Sequence, residues 1–326
     1  MKQPPNLYRF RGLSAEIIDR EIQSLTESYV YSPAFSSMND PMEAFYETGG
    51  PGDHIIDAMF APKQKLTKDL NRMLDETIAK FALISFTGTY KSLPLWAYYA
   101  NNFAGICLEF STKDLIIGDL KSERLLPVVY ARDALPPIDV LRLGSDNIGD
   151  AVIKRLTRKR IEWAHEKEWR FVTGQVGPKH YLDDALKRVY LGPRIDADHA
   201  GRICDTLKRR PVEVLQGQIR GFALEFTTLQ KAAALEDCER VGSGRFEPSD
   251  DLFAEPDLRA FFGAEYDKLV AECRASALRP NMDGFGGIDI AGSERNRVYL
   301  WTQYKLRNGG IAFDKRYFDK RMRQVG

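Results

Sequence analysis

The chain has 326 residues, 44% hydrophobic and 29% charged, with a formal net charge of +1. This is the profile of a globular protein able to bury a large core, as one big domain or a main domain plus an appendage, and it excludes disordered and fibrous classes. A balance so close to neutral points by itself to no particular partner.

The distribution of charge says more than the sum. Glu236 to Glu272 holds eleven acidic and four basic residues, whereas Arg297 to Gly326 holds eight basic and two acidic, a tail of +6. Such a tail reads either as a contact for nucleic acid or acidic protein, or as a solvated surface paired with the acidic block before it. Cys107, Cys204, Cys238 and Cys273 are widely spaced, with no C-x-x-C pair and no histidine at ligand spacing. That argues against zinc and against a disulfide framework, and for a reducing compartment. Met1 to Asn6 lacks a signal pattern, and no apolar run approaches the roughly 20 residues that span a bilayer. The expected location is the cytoplasm, without membrane contact.

In chain order, Leu7 to Phe10 reads as a first strand, and Ser14 as the cap of a helix with Ile17, Ile18, Ile22 and Leu25 at helical spacing. Tyr29 to Tyr31 is a short strand, and Asn39-Asp40-Pro41 marks a turn, because the residue before proline avoids helix. A long helix is expected over Asp53 to Lys80, then a strand at Ala82 to Thr87, a helix at Leu95 to Asn101 and a strand at Ala104 to Phe110. Leu125 to Tyr130 is strand-like, and Asp146 to Ala164 reads as a basic amphipathic helix. Glu168 to Thr173, Arg188 to Leu191 and Phe222 to Phe226 are further strands. Asp196 to Arg209 is a helix that starts on acid and ends on base, as its dipole favours. Acidic helical segments and a glycine-rich loop at Gly284 to Gly287 follow. The sum is an α+β protein with a split or mixed sheet flanked by helices over 1–235. A mainly helical C-terminal extension over 236–326 ends in the basic tail. Leu95-Trp96-x-x-Tyr99 is echoed by Leu300-Trp301-x-x-Tyr304, a coincidence rather than a repeat.

Three strands carry polar residues at alternate positions, which share a face. Arg9 aligns with Arg11, Ser85 with Thr87, and Glu166 with Glu168 and Arg170. Converging on one cleft, these faces would offer an arginine fork for phosphate, hydroxyls for a ribose, and a carboxylate for the positive charge of a breaking glycosidic bond. The plain alternative is a set of ion pairs on a half-exposed strand, worth ~0–1 kcal/mol. Trp96 and Tyr99 lie one helical turn apart, as a stacking wall for a nicotinamide or base, or as core packing. The four histidines carry no assigned role. P-loop, G-x-G-x-x-G, G-x-S-x-G and H-E-x-x-H patterns are absent, which argues against a Rossmann dehydrogenase or P-loop NTPase.

An ordered set of motifs carries a resemblance. Leu7-Tyr8-Arg9-Phe10, Asn39-Asp40-Pro41-Met42-Glu43 and Ile84-Ser85-Phe86 come first. Leu95-Trp96-Ala97-Tyr98-Tyr99, Gly105-Ile106-Cys107-Leu108-Glu109-Phe110, Trp163-Ala164-His165-Glu166-Lys167-Glu168-Trp169-Arg170 and Val189-Tyr190-Leu191-Gly192 follow. From about residue 7 to 230 the chain resembles the bacterial domain-of-unknown-function family 2971, which brings no biochemical function with it. A fainter resemblance is to ADP-ribosyltransferases of the Arg–Ser–Glu type, with Arg9, Ser85-Phe86-Thr87 and Glu166-Lys167-Glu168 in the matching order. Phe86 stands where those enzymes have threonine, and Thr87 supplies the second hydroxyl.

That second resemblance implies NAD as substrate, with no metal. Arg9 would hold its phosphates, and Ser85, with Thr87, its nicotinamide ribose. Trp96 or Tyr99 would stack on nicotinamide, Glu168 would stabilise the oxocarbenium ion, and Glu166 would orient or activate the acceptor. It also implies transfer of ADP-ribose to a macromolecular acceptor, or to water as an NAD glycohydrolase. A toxin or defence setting and an inhibitory or regulatory partner belong to the same implication. Two other readings stand beside it. One is a non-catalytic module binding nucleic acid or protein through Lys154 to Arg160 and the basic C-terminus. The other is a nucleotide-directed hydrolase using Glu166 and Glu168 as acid and base.

Overall fold

The computed structural model describes residues 2–38, 42, 65–121, 124–136, 148–252, 254–291 and 296–325. The turn expected at Asn39 to Pro41 and the first half of the helix expected from Asp53 lie outside them. The strands in chain order are β1 (Asn6–Arg11), β2 (Tyr29–Ser32), β3 (Ala82–Thr87), β4 (Ile106–Ser111), β5 (Leu125–Pro127), β6 (Val129–Ala131), β7 (Arg158–Arg160) and β8 (Glu168–Thr173). They continue with β9 (Gly177–His180), β10 (Leu186–Leu191), β11 (Glu213–Arg220), β12 (Ala223–Gln230), β13 (Met282–Ile290), β14 (Val298–Lys305), β15 (Ile311–Phe318) and β16 (Gln324–Val325). The class is mixed α+β. Among the described residues, no helix is long and apolar enough to cross a membrane.

Two compact units share the chain, each discontinuous in sequence. The first comprises Met1–Arg9, Val30–Leu95 and Ser122–Pro178; the second comprises Phe10–Tyr29, Trp96–Lys121 and Lys179–Gly326.

In the first unit the strand order is β1-β3-β8-β5, and β6 pairs with β7 in parallel. Strand β8 is buried at every position. On one face of β3 and β8, Leu83 opposes Val172, Ser85 opposes Arg170 and Thr87 opposes Glu168. The apolar end of that row packs with Leu74 and Ile78 of the helix Lys65–Ala79, and with Val152 and Leu156 of the helix Ile148–Leu156. Burying each such side chain is worth about 1.5–3 kcal/mol. The expected helix from Asp146 to Ala164 thus stops at Leu156, and Arg158–Arg160 forms β7 beside β6. A tertiary partner overrides the local helical pattern here.

In the second unit β12-β11-β10-β4 follow one another, with β10–β11 parallel and the other two pairs antiparallel. Gly105 and Gly192 answer a packing demand. A Cβ on Gly105 would lie 2.1 Å from the Arg11 carbonyl, and one on Gly192 would lie 2.1 Å from the Phe103 carbonyl. The helix Ala197–Leu207 starts as expected, with the Asp196 side chain accepting from the Asp198 and His199 amides. At the N-terminus the expected cap is displaced. Ser14 opens a turn through its carbonyl, and the helix begins only at Ile18.

The C-terminal stretch is helical at Pro248–Asp251, Glu255–Phe262 and Tyr266–Leu278, as expected, but then becomes an antiparallel sheet, β13-β14-β15-β16. The expected glycine-rich loop at Gly284 to Gly287 lies inside β13. The cause is a period of two: Val298, Leu300, Thr302 and Tyr304 are buried on one face of β14. Val298 and Leu300 join Leu258, Phe262, Leu269 and Cys273 in one apolar cluster. The acidic block and the basic tail do pair in part, through Arg316 with Glu272 and Arg307 with Glu239. Leu95-Trp96 ends up on a helix and Leu300-Trp301 on a strand, so their echo has no structural counterpart.

Candidate functional site

In the first unit the polar end of the β3–β8 row becomes a buried cluster of charge. Glu166 and Glu168 are 4% and 5% exposed, Lys159 is 8% and Arg170 is 0%. Such groups stay ionised inside a protein only when paired and hydrogen-bonded. Here they are. Lys159 Nζ donates to Glu166 Oε2 at 2.7 Å and to Glu168 Oε2 at 3.5 Å. Arg170 donates Nε to Glu168 Oε1 at 2.8 Å and Nη2 to Oε2 at 2.9 Å, a bidentate fork. Its Nη1 bonds the Leu156 carbonyl at 2.6 Å, placing a cation at the C-terminus of the helix Ile148–Leu156.

Backbone geometry aims the two glutamates. Glu166 ends a 3-10 segment, Ile161–Glu166, and Lys167 takes the left-handed conformation, φ 47 and ψ 48. The chain turns there, and both carboxylates reach one ammonium. The expectation that Glu166 lies on the same strand as Glu168 is thereby corrected, although their side chains do meet. Thr87 Oγ1 donates to the Glu166 carbonyl at 2.6 Å, and the Glu168 amide donates to the Tyr130 hydroxyl at 2.8 Å.

Burial works to raise the pKa of Glu168. Arg170, Lys159 and a hydrogen bond from the Ser85 side chain together outweigh it, so the carboxyl is held below its usual range. Burial, with Glu168 and Glu166 nearby, pushes the Tyr130 phenol up to about 12.

Lys159 also lines a cavity of about 320 Å³, with Arg132, Arg155, Arg158 and Arg160; among the described residues Asp133 is the one acid in the lining. Arg158 donates Nε and Nη2 to the Asp133 carbonyl, and Arg160 forks onto Glu162. Arg155 donates to the Ala151 and Pro136 carbonyls, while its Nε is buried without a hydrogen-bond partner. This donor set suits a phosphate or another multivalent anion. Among the described residues, no cluster of histidine, cysteine, aspartate and glutamate could hold a metal ion.

Of the residues singled out by sequence, Ser85, Thr87, Glu166 and Glu168 come together in this cluster. Arg9 does not share their face. Tyr8 opposes Thr87, so Arg9 falls on the other side of the sheet, where its guanidinium bonds the Ser85 and Tyr31 carbonyls at 3.4 Å each. Trp96 and Tyr99 belong to the second unit. There Trp96 is fully buried against Phe10, Phe103 and Phe226, and Tyr99 is half-buried. Sequence reasoning missed Tyr130, and took Lys159 only as part of the basic stretch Lys154 to Arg160, not as a partner of the glutamates. Their one signal was position: both sit on short strands that read as parts of longer elements.

The fold and site define an α+β protein in which a buried carboxylate pair shares its lysine with an arginine-lined cavity. Residues 95–171 match the model of a family described as a protein of unknown function, DUF2971. The chain therefore carries a DUF2971 segment, as its motifs implied, over a shorter stretch than the motifs span. Glu166, Glu168, Trp96 and Tyr99 lie inside the match; Arg9, Ser85 and Thr87 lie outside it. No curated protein and no solved structure matches the chain.

Proposed function

We propose that the first unit binds NAD and cleaves its nicotinamide–ribose bond, as an ADP-ribosyltransferase or NAD glycohydrolase. One observation carries the reading. Lys159 belongs both to the arginine-lined cavity and to the Glu166–Glu168 pair, so an anion-binding wall adjoins a carboxylate pair at a single residue. The unpartnered Arg155 Nε supports a bound phosphate. In this reading Arg132, Arg155 and Arg158 take the pyrophosphate, the task assigned by sequence to Arg9. Glu168, kept ionised by its neighbours, faces the positive charge that develops on the ribose. The electrons of the broken bond leave with nicotinamide, and the acceptor, a macromolecule or water, gives up its proton as it bonds to the ribose. Glu166 accepts that proton.

The test uses the full chain with NAD and cell extract, following free nicotinamide and labelled ADP-ribose. Wild type should release nicotinamide, and Glu168→Gln and Arg158→Gln should not, with melting curves recorded for each. A calorimetric titration of NAD that shows no heat at millimolar ligand would end the proposal, as would full turnover by a folded Glu168→Gln protein.

A further inference from the structure

The C-terminal sheet has a second face that its core does not use. Opposite the buried row of β14, the alternate residues Tyr299, Trp301, Gln303 and Lys305 point outward, and on β15 so do Ile311, Phe313, Lys315 and Tyr317. Tyr299 lies beside Tyr317, Trp301 beside Lys315 and Gln303 beside Phe313. Trp301 is 37% exposed and Phe313 is 51% exposed, with ring centroids 5.7 Å apart. Lys315 Nζ sits 4.3 Å from the centroid of Tyr299 and 5.7 Å from that of Tyr317, and Arg297 sits 4.2 Å over Tyr317. Rings and cations thus alternate across the face.

The neighbouring strand makes room for this arrangement. A Cβ on Gly286 would come within 2.7 Å of the Trp301 ring, and one on Gly287 within 3.3 Å of the Tyr299 ring. Side chains there would push the rings off the sheet. Asp289, beside Tyr299, and Asp283, which accepts from Gln303 Nε2 at 3.1 Å, bring two acids to the edge of the face. The stretch from Arg297 to Gly326 is otherwise strongly basic, eight residues against two.

We propose that this face binds single-stranded nucleic acid, with unstacked bases lying on Trp301 and Phe313 and backbone phosphates meeting Lys315 and Lys305. Stacking accepts any base, and interleaved cations answer a phosphate at each step of the chain. An apolar protein partner would leave Lys315 desolvated between two tyrosines, so the charge favours the polyanion. A duplex keeps its bases stacked inside and cannot offer them to the rings.

The test is fluorescence anisotropy of the full chain with labelled oligodeoxythymidine of about ten nucleotides, against a duplex of equal length. The single strand should bind at least about tenfold more tightly than the duplex. Trp301→Ala and Phe313→Ala should each weaken it about tenfold, with unchanged circular dichroism. Lys315→Ala should flatten the log–log salt dependence by about 0.7. Absence of binding at low salt, equal binding of duplex, or intact binding by the Trp301→Ala, Phe313→Ala double variant would each overturn the proposal. So would a dimer in sedimentation that Trp301→Glu dissolves, because the face would then belong to a second copy. NAD turnover is not a readout here, so the outcome is independent of the function proposed above.

Discussion

Lys159 and Glu166 form the shortest ion pair in the buried cluster, Nζ to Oε2 at 2.7 Å, and the same ammonium reaches Glu168 at 3.5 Å. Two carboxylates and two cations, the second being Arg170, balance one another in a largely buried site. The pairing makes each member costly to remove alone, since it leaves an uncompensated buried charge.

Lys159→Met should therefore destabilise the protein by about 3–5 kcal/mol. Adding Glu166→Gln to Lys159→Met should recover part of that loss, because the stranded carboxylate becomes neutral. Urea unfolding of the two single variants and the double variant measures the coupling. Additive losses would show that the pair does not act as a unit.

The pH dependence of stability follows from Glu168. Its folded pKa is depressed by Arg170, Lys159 and Ser85 acting against burial. Its contribution is then fully present above the unfolded carboxyl value, about 4.3, and is lost as pH falls through the folded value. The stability gap between wild type and Glu168→Gln should be flat above about pH 5 and should narrow steadily below about pH 4. Unfolding curves across that range give the answer, and a gap that widens on acidification would contradict the assignment.

Lys167 supplies a separate prediction, because it is an exposed, non-glycine residue held at φ 47 between the two glutamates. Lys167→Val should cost about 1–3 kcal/mol, since a β-branched side chain is strained in the left-handed region. Lys167→Gly should fall within about 1 kcal/mol of wild type, the relief of strain offsetting the added freedom of the unfolded chain. Thermal melts of both variants distinguish this backbone effect from loss of the lysine charge.

Much of the local structure was legible because it depends on neighbours in sequence. The helix Ala197–Leu207 has its Asp196 cap, β8 runs from Glu168 to Thr173, and β3 from Ala82 to Thr87, all as the patterns predict. The aligned hydroxyls of β3, and Glu168 with Arg170 on β8, were legible too, since a period of two fixes which residues share a face. The end of a helix was not. Asp146 to Ala164 reads as one helix by its pattern, and only pairing with β6 turns Arg158–Arg160 into a strand and aims Lys159 at the glutamates. The C-terminal sheet escaped for a related reason. Its glycines read as a loop until their packing under Trp301 and Tyr299 is seen.

The sequence by itself determined the mixed α+β class, the strand that carries Glu168 and the family segment, because propensity, alternation and motif order are local properties. Tertiary structure alone decided the partners of those groups. A one-residue parity between β1 and β3 sends Arg9 to the far face, and a left-handed Lys167 folds Glu166 back beside Glu168. Burial then turns what a strand pattern would allow as solvated charges into an interlocked ionic cluster. Side-chain period is set along one chain, but register, chain reversal and dielectric are set by what lies opposite.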